Sequence, residues 1–244
     1  MKFLCVIPAR FASTRLPGKP LADIAGKPMI QRVYERAMQA ARPDEVLVAT
    51  DDERVLAVMQ GCGGKAMMTA ADHPTGTDRL AEVAEAYPDV DVIINVQGDE
   101  PLIEPKIIDA LAATFDEDPE LQMATVMTPM AEEEKNNPNN VKVVTDKNGH
   151  ALYFSRSLLP YPRVATGVET YKHIGIYAYK RDFLLAYAKM EPTLLEQTES
   201  LEQLRVLENG YKIKVIKTDC KFVGVDTAED LAKVNEIYHK LLNK

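Results

Sequence analysis

Short continuous apolar runs alternate along the first half of the chain with segments of helical period. Residues 3–7, 46–50 and 92–96 read as strands apolar at nearly every position, the pattern of strands covered on both faces. A helix is predicted after each loop. Residues 29–41 place Met29, Ile30, Val33, Ala37 and Met38 on one stripe behind Pro28, which suits a first helical position. Asp52 can cap a second helix running to Met59, Thr77 or Asp78 a third running to Ala86, and Pro105 opens a fourth running to Phe115.

From Met123 strands follow one another with little helix between them, at 123–127, 141–145, 151–155 and 172–179. This predicts an antiparallel, strand-rich extension over about residues 123–180, embedded in a single domain of residues 1–244. Residues 132–140, three acids and then an Asn and Pro cluster, read as a surface loop or a frayed helix. Helices return at 183–190, 200–209 (stopped by Gly210) and 227–242, with a strand at 212–216. The fold class is α/β, with a mostly parallel central sheet covered by helices.

Composition narrows the function. Lys and Arg number 29 against 37 Asp and Glu, a net charge of −8, which disfavours a partner that is a long nucleic acid. At 46% apolar residues the chain can build a sizeable core. The longest apolar run, residues 183–188, is far short of the twenty or so a membrane span needs, and the N-terminal run meets Arg10 too early for a signal peptide. The expected location is the cytoplasm. Three scattered cysteines, Cys5, Cys62 and Cys220, make no disulfide framework or metal knuckle.

Against this acidic background residues 1–22 hold four cations, Lys2, Arg10, Arg15 and Lys19, and no acid. The stretch Pro8-Ala9-Arg10-Phe11-Ala12-Ser13-Thr14-Arg15-Leu16-Pro17-Gly18-Lys19-Pro20 follows the first strand, where α/β sheets place their ligands. Its cations and hydroxyls suit a polyphosphate. It is not a Walker A loop: Ser13 stands for the first glycine and Pro20 for the hydroxyl residue that holds magnesium. A solvated basic loop is the alternative reading.

Two carboxylates follow strand ends in the same way. Asp99 comes after residues 92–96 and Asp226 after residues 222–225, so the two can share one magnesium with phosphate and water oxygens. The alternatives are local: Asp99 can make a turn with Gly98, and Asp226 can cap the last helix with Glu229, unless Thr227 and Asp230 do so instead. In 172–179, strand alternation puts His173, Gly175, Tyr177 and Tyr179 on one face, either a platform for a polyhydroxylated sugar or a half-buried sheet face. Leu201, Leu204 and Leu207 make a helix stripe past which Glu202 and Gln203 can face a cleft, unless Glu202 simply pairs with Arg205. Arg79 enters a helix behind Thr75, Gly76 and Thr77, whose amides and hydroxyls suit a base edge, a phosphate or ordinary capping.

The motifs together resemble the 3-deoxy-manno-octulosonate cytidylyltransferase family. The loop above is joined by Asp72-His73, Gly76-Thr77-Asp78-Arg79, Asn95-Val96-Gln97-Gly98-Asp99-Glu100-Pro101 and Ala151-Leu152-Tyr153-Phe154-Ser155-Arg156. Lys172-His173-Ile174-Gly175-Ile176-Tyr177, Leu201-Glu202-Gln203-Leu204-Arg205 and Gly224-Val225-Asp226-Thr227 complete the series in order over nearly the whole chain. Thr75, after Pro74, stands where such sequences commonly carry serine, and Ala228 where they often carry proline.

The resemblance implies a three-layer Rossmann-like, GT-A-like nucleotidyltransferase fold. It implies an enzyme that transfers CMP from CTP to a 3-deoxy-2-ulosonic acid, with Mg2+ as cofactor and a homodimer as the assembly. Arg10, Lys19, Asp99 and Asp226 become the catalytic residues, and Asp99 and Asp226 the metal ligands. CTP falls to Pro8, Ala9, Arg10, Ser13, Arg15, Lys19, Thr75, Gly76, Arg79 and Gln97. The sugar falls to Gln97, Arg156, His173, Tyr177, Glu202 and Gln203. The residues alone leave room for a nucleotidyltransferase acting on sugar 1-phosphates, or for a nucleotide-binding module without catalysis.

Overall fold

The computed structural model describes residues 1–12, 16–164 and 166–243. Its centre is the strand β1, Phe3–Ala9, hydrogen-bonded in parallel to β4, Glu45–Thr50, on one side and to β6, Val92–Asn95, on the other. Apolar alternation along β1 builds two separate cores. Phe3, Cys5 and Ile7 enter one, and Leu4 and Val6 the other. In the first core, burial pushes the Cys5 thiol up to about 12, so it is an inert apolar filler.

Beyond β4 lies β5, Ala66–Met68, a three-residue strand too short to show a pattern in the sequence. On the other side come β10, Tyr171–Lys180, then β7, Met123–Pro129, then β11, Ile213–Lys217. β10 runs antiparallel to both β6 and β7, while β11 is parallel to β7, so the sheet is mostly parallel around one reversed strand. The strand-rich region therefore divides. β7 and β10 belong to the central sheet, and only β8, Lys142–Thr145, with β9, Ala151–Ser155, branches from the end of β10. A two-residue ribbon, β2 and β3 (Asp23–Ile24 and Lys27–Pro28), precedes the first helix.

Helices cover both faces. Against the first core pack α1 (Met29–Ala37), α2 (Glu53–Gly61), α4 (Pro105–Glu117) and α8 (Ala228–Leu242), through side chains such as Ile30, Met59, Ile108 and Val234. Against the second pack α3 (Gly76–Ala86), α5 (Arg181–Tyr187) and α7 (Leu204–Glu208), through Leu80, Leu184 and Leu204. This is a three-layer α/β architecture.

Helix ends differ from the sequence expectation where side chains from elsewhere compete. α1 stops four residues early because the Asp109 carboxylate of α4 accepts the backbone N–H groups of Ala41 and Arg42, at 2.9 and 2.8 Å. α3 begins two residues early, because Thr75 rather than Thr77 or Asp78 is the cap, exchanging hydrogen bonds with Asp78. The single helix expected over 200–209 is two: α6, Leu194–Glu199, then α7, separated by Ser200 in the left-handed region at φ 50°. Arg205 of α7 donates to both carboxylate oxygens of Glu196 of α6, from Nε at 2.8 Å and from Nη2, and lies 3.9 Å from Glu202.

Candidate active site

The C-terminal ends of β1 and β6 open into a cleft. The loop after β1 and the turn after β6 line a cavity of about 420 Å3 with Pro8, Ala9, Arg10, Lys19, Gln97 and Asp99 among its walls. A second cavity of about 180 Å3 is walled by Gly76, Thr77, Asn95, Gln97, Tyr177, Tyr179, Tyr187, Glu202 and Gln203. Gln97 is common to both. Ser13 and Arg15 lie outside the described residues.

At the wall of the larger cavity three charges converge at Lys19. The Lys19 ammonium lies 2.5 Å from Asp99 Oδ2 and 3.0 Å from Asp226 Oδ1. Burial pushes the Lys19 pKa down, but the charges and hydrogen bonds of Asp99 and then Asp226 outweigh it, and the group ends above its ordinary value. Asp226 reaches this point because its helix is capped by others: Thr227 and Asp230 form the capping box of α8. The Val225 N–H donates to the Asp99 carbonyl at 2.9 Å and holds the two segments side by side. The carboxylates thus meet at one cation seat, and their oxygens are the hard donors that magnesium takes alongside phosphate and water. Among the described residues no group of three or more His, Cys, Asp or Glu converges.

At the back of this seat the half-buried Glu100 carboxyl is pushed up to about 8 by burial and by Asp99 beside it. Arg10 stands at the rim and donates to the His73 carbonyl, while the His73 ring meets Glu82 of α3. Phe11 carries the loop onward beneath the Arg54 guanidinium, 3.6 Å from the ring centroid.

The smaller cavity is marked by polar atoms without partners. Among the described residues Asn95 Oδ1, Glu202 Oε1 and Gln203 Nε2 are buried and make no hydrogen bond, and the Arg205 guanidinium lies 3.9 Å from Glu202 Oε1. Such groups are uncommon in native structures unless a ligand or water satisfies them. Burial raises the Glu202 pKa, with the Thr77 hydroxyl opposing the shift. Tyr187 donates its hydroxyl to the Glu202 carbonyl at 2.8 Å and fixes that turn. Thr77 and Tyr179 were weighed in the sequence as part of a base or phosphate site and of a sugar platform, whereas Asn95 and Tyr187 were given no role there; the one available signal was Asn95, a polar residue closing an apolar strand.

Three expected site residues have other work here. Arg79 is buried and pairs with Thr69 and, at 3.0 Å, with Asp51, beneath the β4 edge rather than in either cavity. Arg156 spends its guanidinium on the carbonyls of Glu199 (2.7 Å), Pro138 (3.1 Å) and Ser200 (3.2 Å), holding the corner that delivers Glu202 and Gln203. His173 is buried behind Tyr177, with ring centroids 5.5 Å apart, and in an edge contact with Phe154 at 4.8 Å.

Burial pushes the His173 pKa down to about 3, so the ring is neutral in the folded protein. The unfolded chain, at 6.5, binds a proton that the folded chain does not between these values, so stability is lost as pH falls through that window. Urea titrations of wild type and His173→Gln should show the stability gap between them shrinking by about 2 kcal/mol from pH 6.5 to 5. A gap independent of pH would mean the ring charges in place.

The architecture is shared with solved structures of remote sequence. A putative glucose-1-phosphate thymidylyltransferase from Bacillus anthracis aligns at a TM-score of 0.69 over 96% of this chain and 94% of its own, and at 15% identity it shows the shared fold alone. The cytidylyltransferase family model matches residues 4–213. A 3-deoxy-manno-octulosonate cytidylyltransferase from Fusobacterium nucleatum is 56% identical over 235 residues, covering 96% of each chain, and one from Syntrophotalea carbinolica is 54% identical over 244 residues. A solved structure of CMP:2-keto-3-deoxy-manno-octonic acid synthetase complexed with CTP superposes at a TM-score of 0.95, with 48% identity, over 98% of this chain and 99% of that one. The chain belongs to the 3-deoxy-manno-octulosonate cytidylyltransferase family.

Proposed function

We propose that the protein transfers CMP from CTP to 3-deoxy-D-manno-octulosonate, releasing pyrophosphate, and so activates this sugar for lipopolysaccharide or capsule assembly. The observation that carries the reading is the pair of adjoining cavities meeting at Gln97, one walled by Arg10, Lys19 and Asp99, with Asp226 joining Asp99 at the Lys19 ammonium, the other by atoms without a hydrogen bond among the described residues. The first suits a triphosphate. The second suits the hydroxyl-rich tail of a sugar acid, to which Asn95 Oδ1 and Glu202 Oε1 offer acceptors and Gln203 Nε2 a donor.

In this reading the anomeric 2-hydroxyl of the sugar acid attacks the α-phosphorus. The new bond joins sugar oxygen to phosphorus, the bond from the α-phosphorus to the α,β-bridging oxygen breaks, pyrophosphate leaves with that oxygen, and the hydroxyl proton is released to solvent. Arg10 and Lys19 offset charge on the triphosphate, and the cleft walls hold nucleophile and phosphorus in line. Asp99 and Asp226 are the residues that would hold magnesium, which when bound neutralises phosphate charge and acidifies a nearby hydroxyl. The remaining side chains position the substrates; among the described residues of the cleft none stands out as a general base.

The assay is pyrophosphate release from CTP, magnesium and the sugar acid. Turnover with 3-deoxy-manno-octulosonate supports the reading. Silence with it but turnover with the 8-amino analogue or a sugar 1-phosphate would replace the substrate, and CTP binding with no product under any of these conditions would leave a binding module. We assign a homodimer to the middle region, where the exposed apolar side chains Tyr161, Val164 and Val168 line one cavity; light scattering at the mass of one 27.2 kDa chain would exclude it. No helix among the described residues is long and apolar enough to cross a membrane. A cytoplasmic location is the matching proposal, which cell fractionation tests.

A further inference from the structure

β10 pairs with β7 in register as far as Ile174 opposite Val126, and resumes with Tyr177 opposite Thr125. Three steps along β10 match one along β7, so Gly175 and Ile176 bulge from the ladder. A Cβ added at Gly175 would meet nothing within 4 Å, and its φ is not in the positive range. Neither crowding nor backbone strain at the glycine therefore accounts for the bulge.

The side chain that grips it is Thr125, which is fully buried. Its Oγ1 lies 2.8 Å from the Ile176 carbonyl, 3.2 Å from the Ile174 carbonyl and 3.0 Å from His173 Nε2. The hydroxyl has one proton to donate, shared between the carbonyls, and accepts from the imidazole. Carbonyls alternate in direction along an extended chain. With Ile174 and Ile176 both turned toward Thr125, the carbonyl between them, that of Gly175, is turned the other way. There it accepts a hydrogen bond from Gln97 Nε2 at 2.8 Å. A carbonyl can only accept, so the atom it binds is the amide nitrogen, and the oxygen of Gln97 is what remains to be offered to the cleft.

We propose that Thr125 is a positioning residue for the transfer reaction: by pinning the β10 bulge it aims the Gly175 carbonyl at Gln97, so that Gln97 presents its acceptor oxygen between the two cavities. The ligand group it meets there is a donor, a hydroxyl of the sugar acid. This rests on the proposed reading of Gln97 as a substrate-binding residue, and the test separates the two.

Thr125→Val keeps the size and removes the hydroxyl. It is expected to lower kcat/KM for the sugar acid ~10-fold, while calorimetry finds CTP affinity within about twofold of wild type. Thr125→Ser, which restores the hydroxyl, should recover most of that loss. If Thr125 acts through Gln97, Gln97→Ala with Thr125→Val should be no worse than Gln97→Ala alone. Equal losses in sugar turnover and CTP affinity, no rescue by serine, or additive losses would overturn the proposal while leaving Gln97 in place. Wild-type kcat/KM in Gln97→Ala would remove the reading of Gln97 and the proposal with it. Should the valine variant fold poorly, Thr125→Cys, close in size with only a weak donor, carries the same comparison.

Discussion

Asp99→Asn should lower kcat/KM on the order of 10³-fold or more and leave the fold nearly untouched. Asparagine has the same shape, and the hydrogen bond that ties Asp99 to Val225 runs through the backbone carbonyl, so the turn after β6 survives. What goes is one of two negative charges converging on a single cation seat. Lys19 now fills that seat at 2.5 and 3.0 Å, which shows that the two carboxylates can share one cation between them. With one carboxylate neutral, Asp226 alone faces the ammonium, and the proposed magnesium loses half its protein ligands. Two measurements check this: Mn2+ binding in the presence of CTP, expected to weaken more than tenfold, and turnover across a magnesium titration. Full turnover at limiting magnesium would show that Asp99 holds no metal.

Gly98→Ala should cost on the order of 10²-fold in kcat/KM through backbone displacement alone, since no functional group is removed. A Cβ at position 98 would stand 2.6 Å from the Pro8 carbonyl, closer than real Cβ atoms come to a backbone oxygen. Neither neighbour can yield by rotating a side chain. Pro8 lies in β1, fixed by its pairing with β4, and so the strain falls on the turn from Gln97 to Asp99 or on the loop that carries Arg10 and Lys19. Either shift separates the groups lining the larger cavity. The stability loss should be about 1 to 3 kcal/mol, the usual penalty of overpacking. Gly61→Ala, at the end of α2 with nothing within 4 Å of the new Cβ, is the control and should keep full activity. If Gly98→Ala matches that control, the close approach has no catalytic meaning.

Much of the fold could be read directly. The runs at residues 3–7, 46–50 and 92–96 became β1, β4 and β6 because strands covered by helices on both sides have no solvent face to carry polar residues. The alternation of residues 172–179 held through the bulge: Ile174, Ile176 and Ala178 enter one core, and Tyr177 and Tyr179 pack with the other. It held because the bulge adds two residues, which preserves the period of two. The unreadable elements were those fixed by distant partners. β5 is too short to show a period, and the break between α6 and α7 is held by Arg156, more than forty residues away.

The site divides the same way. The sequence by itself determined the chemistry on offer: a cationic loop behind the first strand, acids behind two later strand ends, and polar residues on β10 and near α7, because residue type and position after a strand are local properties. Tertiary structure decided which of these groups meet. Lys19, Asp99 and Asp226 lie up to 207 residues apart and converge on one point, while Arg79, Arg156 and His173 are turned to ion pairing, loop holding and ring packing. That choice is not local. A buried polar group goes to whatever partner satisfies it most completely, and the chain supplies that partner only once the layers have packed; Asn95 Oδ1, Glu202 Oε1 and Gln203 Nε2 still lack a hydrogen bond among the described residues after packing, and they wall the cavity where we propose that the sugar binds.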